Sequence, residues 1–506
     1  MIPTICAFSH TPLAFPSNGK PVFSVNSIRK SVAVSFLGNN LQFAIHLLTT
    51  IIISRLLTPQ EIGVFSVGAA LIALLQTFRN LGTAQYLIQE KELTNSRIRS
   101  ALTLAILTAW PIGAAAIFAA DNIARFYATK EVGQIVSILS VNFFLLPFGA
   151  VATALLRREM QFVRLNIIQT AGALVAAVLS ISLALVGFGP VGLALGAFCG
   201  TAFASLLTTR LAFRSARLLK PSLSELGRVF SFGSRTFGAS LMTELGDKLP
   251  EIVIGKAQGL SSAAFFSRAK GAVQTFDYAV ISAIQPVIIP AFAANNRKAV
   301  NMERSYLHAF DFVVGIGWPF YACLALLAPD AILILFGDQW DQAIQPAQIL
   351  CLAFAVALPR RLGMWFLLAT GRADLNLLAT AIWFAAIALA VLAGAYFSIE
   401  TVAFAIVLAE VVGLAIMHHQ LAQAVRISSS ALRRAYLRGV ALALATAIPL
   451  AWTYSSMDGT TGYLLQLPTW GLAMLIGWIL GIVVLRHPIL AEILKLASST
   501  VGMVRR

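Results

Sequence analysis

The sequence predicts an all-α polytopic membrane protein, with about 14 transmembrane helices in two six-helix lobes plus a C-terminal pair. Three observations carry that expectation. The 506-residue chain is 58% hydrophobic and only 11% charged, with a mean hydropathy of +0.82, so it has too few charges to cover a water-soluble surface. Apolar runs of about 20 residues recur between short loops, the length that a bilayer-crossing helix requires. Basic residues cluster in alternate loops, as the positive-inside rule demands of a multi-pass chain. A β-barrel would instead show alternating segments of about 10 residues, and the chain has none.

Residues 1–30 read as a cytoplasmic tail, or as an extension from a start codon placed too early. Pro3, Pro12, Pro16 and Pro21 interrupt any helix there, and Lys20, Arg29 and Lys30 come too late for a signal peptide. The first lobe, 31–212, holds spans near 31–54, 63–88, 100–120, 134–156, 166–186 and 190–212. A linker at 213–228 leads to the second lobe, 229–426, with spans near 229–254, 263–294, 306–328, 342–369, 375–397 and 401–424. The closing segment, 427–506, adds spans near 436–455 and 469–486, then a short apolar stretch expected on the membrane surface.

Charge supports this order independently. Basic clusters fall at Lys91, Arg97 and Arg99, at Arg157, Arg158 and Arg164, and at Arg210, Arg214, Arg217, Lys220 and Arg228. They continue at Arg297, Lys298 and Arg304, at Arg360, Arg361 and Arg372, and at Arg426, Arg433, Arg434 and Arg438. The intervening loops are neutral or acidic, as with Asp330, Asp338 and Asp341. Arg125 and Lys130 are the imperfect fit, offset in part by Asp121 and Glu131. Both termini are therefore expected in the cytoplasm. The net charge of +16 follows from these loops, so topology explains it and nucleic acid need not be invoked. The four cysteines are scattered, with no metal or disulfide spacing.

The two lobes read as diverged copies. IISRLLTPQEIGVFSV near Ile53 aligns without gaps on VIGKAQGLSSAAFFSR near Ile254, so Arg55 meets Lys256, Phe65 meets Phe266 and Ser66 meets Ser267. AADNI at Ala119 parallels APDAI at Ala328. Six spans per copy keep the copies in one orientation, which predicts an axis along the membrane normal and a cavity between the lobes.

The seventh and eighth spans break the apolar rule. Together they carry Arg235, Glu244, Asp247, Lys248, Glu251, Arg268, Lys270 and Asp277. A charge at the centre of a bilayer helix costs roughly 2.5–3.5 kcal/mol on insertion scales, so these helices cannot face lipid. Glu244, Asp247, Lys248 and Glu251 recur at helical spacing on one face, and Glu244 precedes Lys248 in the order that favours an intrahelical pair. Pro250 is expected to kink the helix and free carbonyls. Lys270, Gln274 and Asp277 share a second face. Asp247 aligns with His46 of the first span, which also bears Asn39, Asn40 and Gln42, so both lobes are expected to turn polar faces inward. In one reading these groups line a cavity; in the other they pair among themselves and pin two helices together. Arg360 and Arg361 are expected to snorkel to the interface, and Glu410 stands alone as a relay or a helix–helix contact.

SRLLTPQEIGVFSV resembles the R-x-L-x-P-x-x-x-G signature of Wzx-type polysaccharide flippases. NLGTAQYLIQEKEL is similar to a segment of their colanic-acid and succinoglycan branch. DKLPEIVIGKAQGLSSAAFFSRA resembles the family's I-G-x-x-x-G pattern downstream of an Asp, leading to Y-x-x-A, with Phe266 where Tyr is common. LFGDQWDQA at Leu335 and LLATGRADLN at Leu367 match further blocks, so the resemblance spans roughly 31–426. It implies a MATE-like flippase fold in the multidrug/oligosaccharidyl-lipid/polysaccharide exporter superfamily. It further implies movement of a polyprenyl-diphosphate-linked oligosaccharide across the bacterial inner membrane by alternating access, for exopolysaccharide or O-antigen synthesis.

On that reading Arg79, Arg235, Lys248, Arg268 and Lys270 are the candidate cations for the diphosphate. Glu244, Asp247, Glu251 and Asp277 are the candidates for coupling to a proton or sodium gradient, and Asn39, Asn40, Gln42, His46 and Gln274 for polar lining. No cofactor is expected. The expected partners are the lipid-linked substrate, the bilayer, and a polymerase and glycosyltransferases of the same pathway. The chain has no P-loop, GxSxG or HExxH, and no extended extramembrane loop, which argues against an ATP-driven engine and against a polymerase or ligase. A cation-coupled drug exporter of the same fold stands as the alternative.

Overall fold

The computed structural model describes residues 25–79, 83–90, 92–213, 220–297, 301–425, 427–456 and 463–491, and every described element is helical. The expected spans fall on helices where they are described, the one near 63–88 being divided between two. The first half runs α1 (Val25–Leu56), α2 (Pro59–Arg79), the short α3 (Thr83–Gln89), α4 (Asn95–Tyr127), α5 (Lys130–Ser140), α6 (Asn142–Arg158), α7 (Phe162–Leu185) and α8 (Gly189–Ala212). The second half runs α9 (Leu226–Ala257) and α10 (Leu260–Phe276), then a π turn (Asp277–Ile281) into α11 (Ser282–Arg297). It continues with α12 (Met302–Phe336), a 3₁₀ stretch (Asp338–Ala343) into α13 (Ile344–Ala369), α14 (Ala373–Gly394) and α15 (Ile399–Ala424). The closing pair is α16 (Ser429–Ser456) and α17 (Tyr463–Val484). The apolar stretch expected on the membrane surface falls largely outside the described residues.

Among the described residues, 11 helices are long and apolar enough to cross a bilayer. The stretches missing from that set are α1, α9 and α10–α11. These are the helices whose polar and charged residues the sequence singles out. Their composition makes sense only if neighbouring helices cover them, because nothing in hydrocarbon satisfies a charge.

Helix ends follow local chemistry. Thr58 and Glu61 form a capping box, with the Thr58 N–H donating to Glu61 Oε2 at 2.9 Å and the Glu61 N–H to Thr58 Oγ1 at 3.3 Å. Pro59 occupies the first helical position, where its missing N–H is harmless. Thr94, Asn301 and Ser398 cap α4, α12 and α15 through side-chain oxygens. The segment joining the halves is tied to α4: Arg99 donates to the carbonyls of Lys220 and Pro221, and Thr103 accepts from the Ser222 N–H at 2.8 Å.

The connections α1–α2, α4–α5, α9–α10 and α12–α13 gather at one end of the bundle, here called the neutral end; described basic residues such as Arg97, Arg99, Arg157, Arg158, Arg164 and Arg304 lie toward the other. At the neutral end the halves are clasped reciprocally. Arg55, ending α1, donates to the Ile334 carbonyl near the end of α12, while its repeat counterpart Lys256, ending α9, donates to the Phe126 carbonyl near the end of α4. Trp340 donates to the Ser54 carbonyl at 2.9 Å, and Tyr127 donates to the Ile252 carbonyl at 3.1 Å. Ser261 and Gln60, equivalent positions of the two copies, meet at 2.7 Å. Contacts exchanged in this way are what two like-oriented copies produce around a shared axis.

The clasp depends on Gly63. A Cβ there would stand 1.8 Å from the Leu260 carbonyl oxygen, so only glycine lets α2 reach the start of α10. Gly63→Val is therefore expected to hold the neutral end apart. In a background without native cysteines, Ser54→Cys, fully buried here, should react with an impermeant maleimide only when Gly63→Val is also present.

Candidate functional site

The charged helices enclose a cavity of about 430 Å³, lined from α9, the α10–π–α11 stretch, α13, α14 and α15. Every lining residue belongs to the second half. The first half reaches the rim of this cavity through Phe43 of α1, whose ring stacks on cavity-lining Tyr278 at 6.0 Å. Asn39, Asn40 and His46 lie on the Phe43 face of α1 at helical spacing, and His46 contacts Thr50 at 3.1 Å. Gln42 points elsewhere, donating to Thr170 of α7 at 3.4 Å.

At the heart of the site is a chain of ion pairs between α9 and α10. Asp247 receives Lys270 at 2.8 Å on one carboxylate oxygen and Lys248 at 2.7 Å on the other. Lys270 also reaches Glu251 at 3.4 Å, and Gln274 donates to Asp247 at 3.4 Å. Lys270 further donates to the Asp247 carbonyl, in the turn where Pro250 removes a helical N–H. The α9 helix runs on through Pro250 to Ala257. Lys248 thus makes its close contact with Asp247, not with Glu244 as its spacing suggested, while Glu244 lines the cavity one turn earlier.

Two further pairs come from α13, and sequence reasoning misplaced them. Arg360 does not snorkel: it forms a fork with Glu410 at 2.7 and 3.2 Å and lies over the Trp383 ring at 4.2 Å. The Trp383 indole N–H also donates to Glu410 at 3.0 Å, so Glu410 is not isolated. Arg361 binds Asp277 at 2.5 Å, and Tyr321 donates to the same carboxylate at 3.4 Å. The signal was present in the sequence. Glu410 sits near the middle of a 26-residue helix, beyond reach of either end, so it required an intramembrane cation. Asp277 opens the π turn, the single π turn among the described residues, and such turns frequently mark functional sites.

The remaining expected cations lie apart. Arg268 is half-buried toward the neutral end, 5.5 Å from the centre of the Trp340 ring, and Arg79 ends α2. The backbone of Arg235 is on α9, but its side chain is outside the described residues. The cavity lining thus joins Lys270 and the expected carboxylates Glu244, Asp247 and Asp277 to Arg360, Arg361 and Glu410.

The pairs differ in burial. Arg360 and Glu410 side chains are 9% and 8% exposed, and Lys270 and Glu251 8% and 11%. Arg361 and Asp277 are 26% and 18% exposed, and Lys248 and Asp247 26% and 34%. The most buried pairs hold helices together, and the other two border the open cavity, less tightly enclosed. Removing one member of a buried pair strands the other, at a cost of about 3–5 kcal/mol. Glu410→Ala should therefore lower the unfolding midpoint in detergent markedly, whereas Arg360→Met with Glu410→Leu should recover most of the loss.

Comparison with known proteins adds the following. The profile described as "Polysaccharide biosynthesis protein" matches residues 52–345. The succinoglycan biosynthesis transport protein ExoT of Rhizobium meliloti is 26% identical over 350 residues, covering 67% of this chain and 68% of ExoT. A lipid II flippase, MurJ, in an inward closed conformation superposes with a TM-score of 0.69 at 10% identity, covering 90% of this chain and 98% of that one. An inward-facing multidrug resistance MATE family transporter of the MOP superfamily superposes with a TM-score of 0.62 at 15% identity, covering 78% and 98%. At these identities the structural likeness is one of fold.

Proposed function

The chain belongs to the polysaccharide biosynthesis protein family, and from that premise we propose that it is a flippase for a polyprenyl-diphosphate-linked oligosaccharide. It is a multi-pass membrane protein and a polysaccharide-biosynthesis transport protein of the Wzx type. Its basic end faces the cytoplasm under the positive-inside rule, with both termini on that side of the inner membrane. The neutral-end clasp then closes the outward side. The product serves exopolysaccharide or O-antigen assembly, alongside glycosyltransferases and a polymerase.

One observation carries the mechanism: the two less buried pairs, Arg361–Asp277 and Lys248–Asp247, sit beside a cavity in which Lys270, Arg360 and Glu410 are held in buried pairs. An arriving diphosphate competes with Asp277 for Arg361, whose planar fork suits phosphate oxygens, and with Asp247 for Lys248. Asp277, deprived of its only cation, then needs a proton or a sodium ion, whereas Asp247 keeps Lys270, so Asp277 is the group that links substrate binding to cation binding. Opening of the neutral end and closing of the basic end release the head group on the far side, while the polyprenyl tail stays in lipid.

A second reading, a cation-coupled small-molecule exporter of the same fold, draws on the excess of carboxylates over cations among the lining residues. Two experiments separate the readings. Arg361→Ala combined with Lys248→Ala should cut polysaccharide export at least about tenfold with protein levels maintained, as expected for loss of more than about 1.4 kcal/mol of phosphate binding. Full export by that double variant would sink the phosphate exchange. In proteoliposomes, lipid-linked oligosaccharide flipping should depend on a proton or sodium gradient, and Asp277→Asn should abolish that dependence.

A further inference from the structure

Behind α2, on the side of the first half facing away from the second, the last turns of α4 and the first turns of α5 form the walls of a cavity of about 660 Å³ at the neutral end. Its polar lining is Asp121 and Arg125 from α4, and Lys130, Gln134 and Ser137 from α5; Val191 of α8 closes one edge. Val132, Ile135 and Val136 occupy the opposite face of α5 and are buried, Ile135 lying against Gly68 of α2. The cavity therefore opens outward, away from the transport site. Gly133 makes it by close approach, since a Cβ there would stand 2.7 Å from the Ala120 carbonyl oxygen.

Arg125 and Lys130 are the cations that fit the loop-charge pattern least, lying at the end where basic residues are otherwise sparse. Both are exposed. Among the described residues neither they nor Asp121 forms an ion pair, although Asp121 and Arg125 are four residues apart on one helix. Around the charges the surface is apolar: Phe118, one turn deeper on α4, is 84% exposed, and Val186 and Phe188, beside α8, are 74% and 51% exposed. Two cations and one carboxylate at the depth of the membrane interface, above a lipid-facing apolar wall, match one kind of ligand.

We propose that this cavity binds a membrane phospholipid whose head group carries a phosphate and a primary ammonium. The phosphate engages Arg125 and Lys130, the ammonium donates to Asp121, and an acyl chain lies along Phe118. Gln134 and Ser137 supply further hydrogen bonds to the head group. A quaternary ammonium cannot donate to Asp121, and an anionic head group without an amine meets its repulsion. The inference rests on the first half alone and is independent of the transported substrate.

The full chain in nanodiscs of equal phosphatidylethanolamine, phosphatidylcholine and phosphatidylglycerol content, followed by native mass spectrometry of retained lipid, provides the test. Phosphatidylethanolamine should be retained about fivefold over phosphatidylcholine, the ratio that about 1 kcal/mol gives. Asp121→Asn should remove its advantage over phosphatidylglycerol, and Arg125→Gln with Lys130→Gln should abolish retention of both. Equal retention of the three lipids by the unaltered protein would overturn the site, as would undiminished phosphatidylethanolamine on the double variant. Preference of the unaltered protein for phosphatidylglycerol would overturn the role of Asp121. Because these residues are exposed and unpaired, their substitution leaves the fold intact, and an unchanged unfolding midpoint in detergent checks this.

Discussion

The closest constraint on this molecule is the contact of α2 with the start of α10 at the neutral end, where Gly63 admits the Leu260 carbonyl. Around it, each half donates hydrogen bonds to backbone carbonyls of the other: Arg55 and Tyr127 from the first half to the second, Lys256 and Trp340 from the second to the first. These are interactions with main-chain oxygens, so they depend on helix position more than on side-chain identity. They fix where α1 and α9 end, and hence the depth at which the polar turns of both helices lie. A bundle held at one end in this way can change shape mainly by releasing that end.

Inside the second half, electrostatics replaces packing as the organising force. Four helical stretches contribute charges to one small volume, and most of those charges have opposite partners. Burial sorts them: the Arg360–Glu410 fork, shielded by Trp383, ties α13 to α15, while Arg361 and Asp277 retain contact with the open space. The same pairing satisfies both meanings that a charged intramembrane helix can have. It pins helices where water is excluded and leaves exchangeable ligands where water enters.

Much of the architecture was legible in the chain. Apolar run length located the spans, and loop charge fixed their alternation, because a bilayer imposes both on sequence directly. The repeat around Arg55 and Lys256 was legible too, and the reciprocal clasp is its structural counterpart. The site was half legible. Asp247, Glu251, Lys270 and Gln274 stood out on two consecutive helices and do meet, since short-range spacing determines a helix face. Arg360, Arg361 and Glu410 were misread because their partners lie 50 or more residues away, and periodicity carries no information about which distant helix supplies a counter-ion. The same limit explains Arg268, which has the residue type of a phosphate ligand but lies beside Trp340.

The π turn at Asp277–Ile281 divides the eighth span into two segments with different registers. A residue of extra winding rotates everything beyond it by about 100° relative to an uninterrupted helix. The face that α10 presents to Asp247 is therefore not the face that α11 continues along the cavity. Deleting a single residue within that turn would restore regular hydrogen bonding while turning the whole of α11 to a different neighbour. The irregularity thus works as a phase shift, letting one membrane crossing serve two differently oriented surfaces.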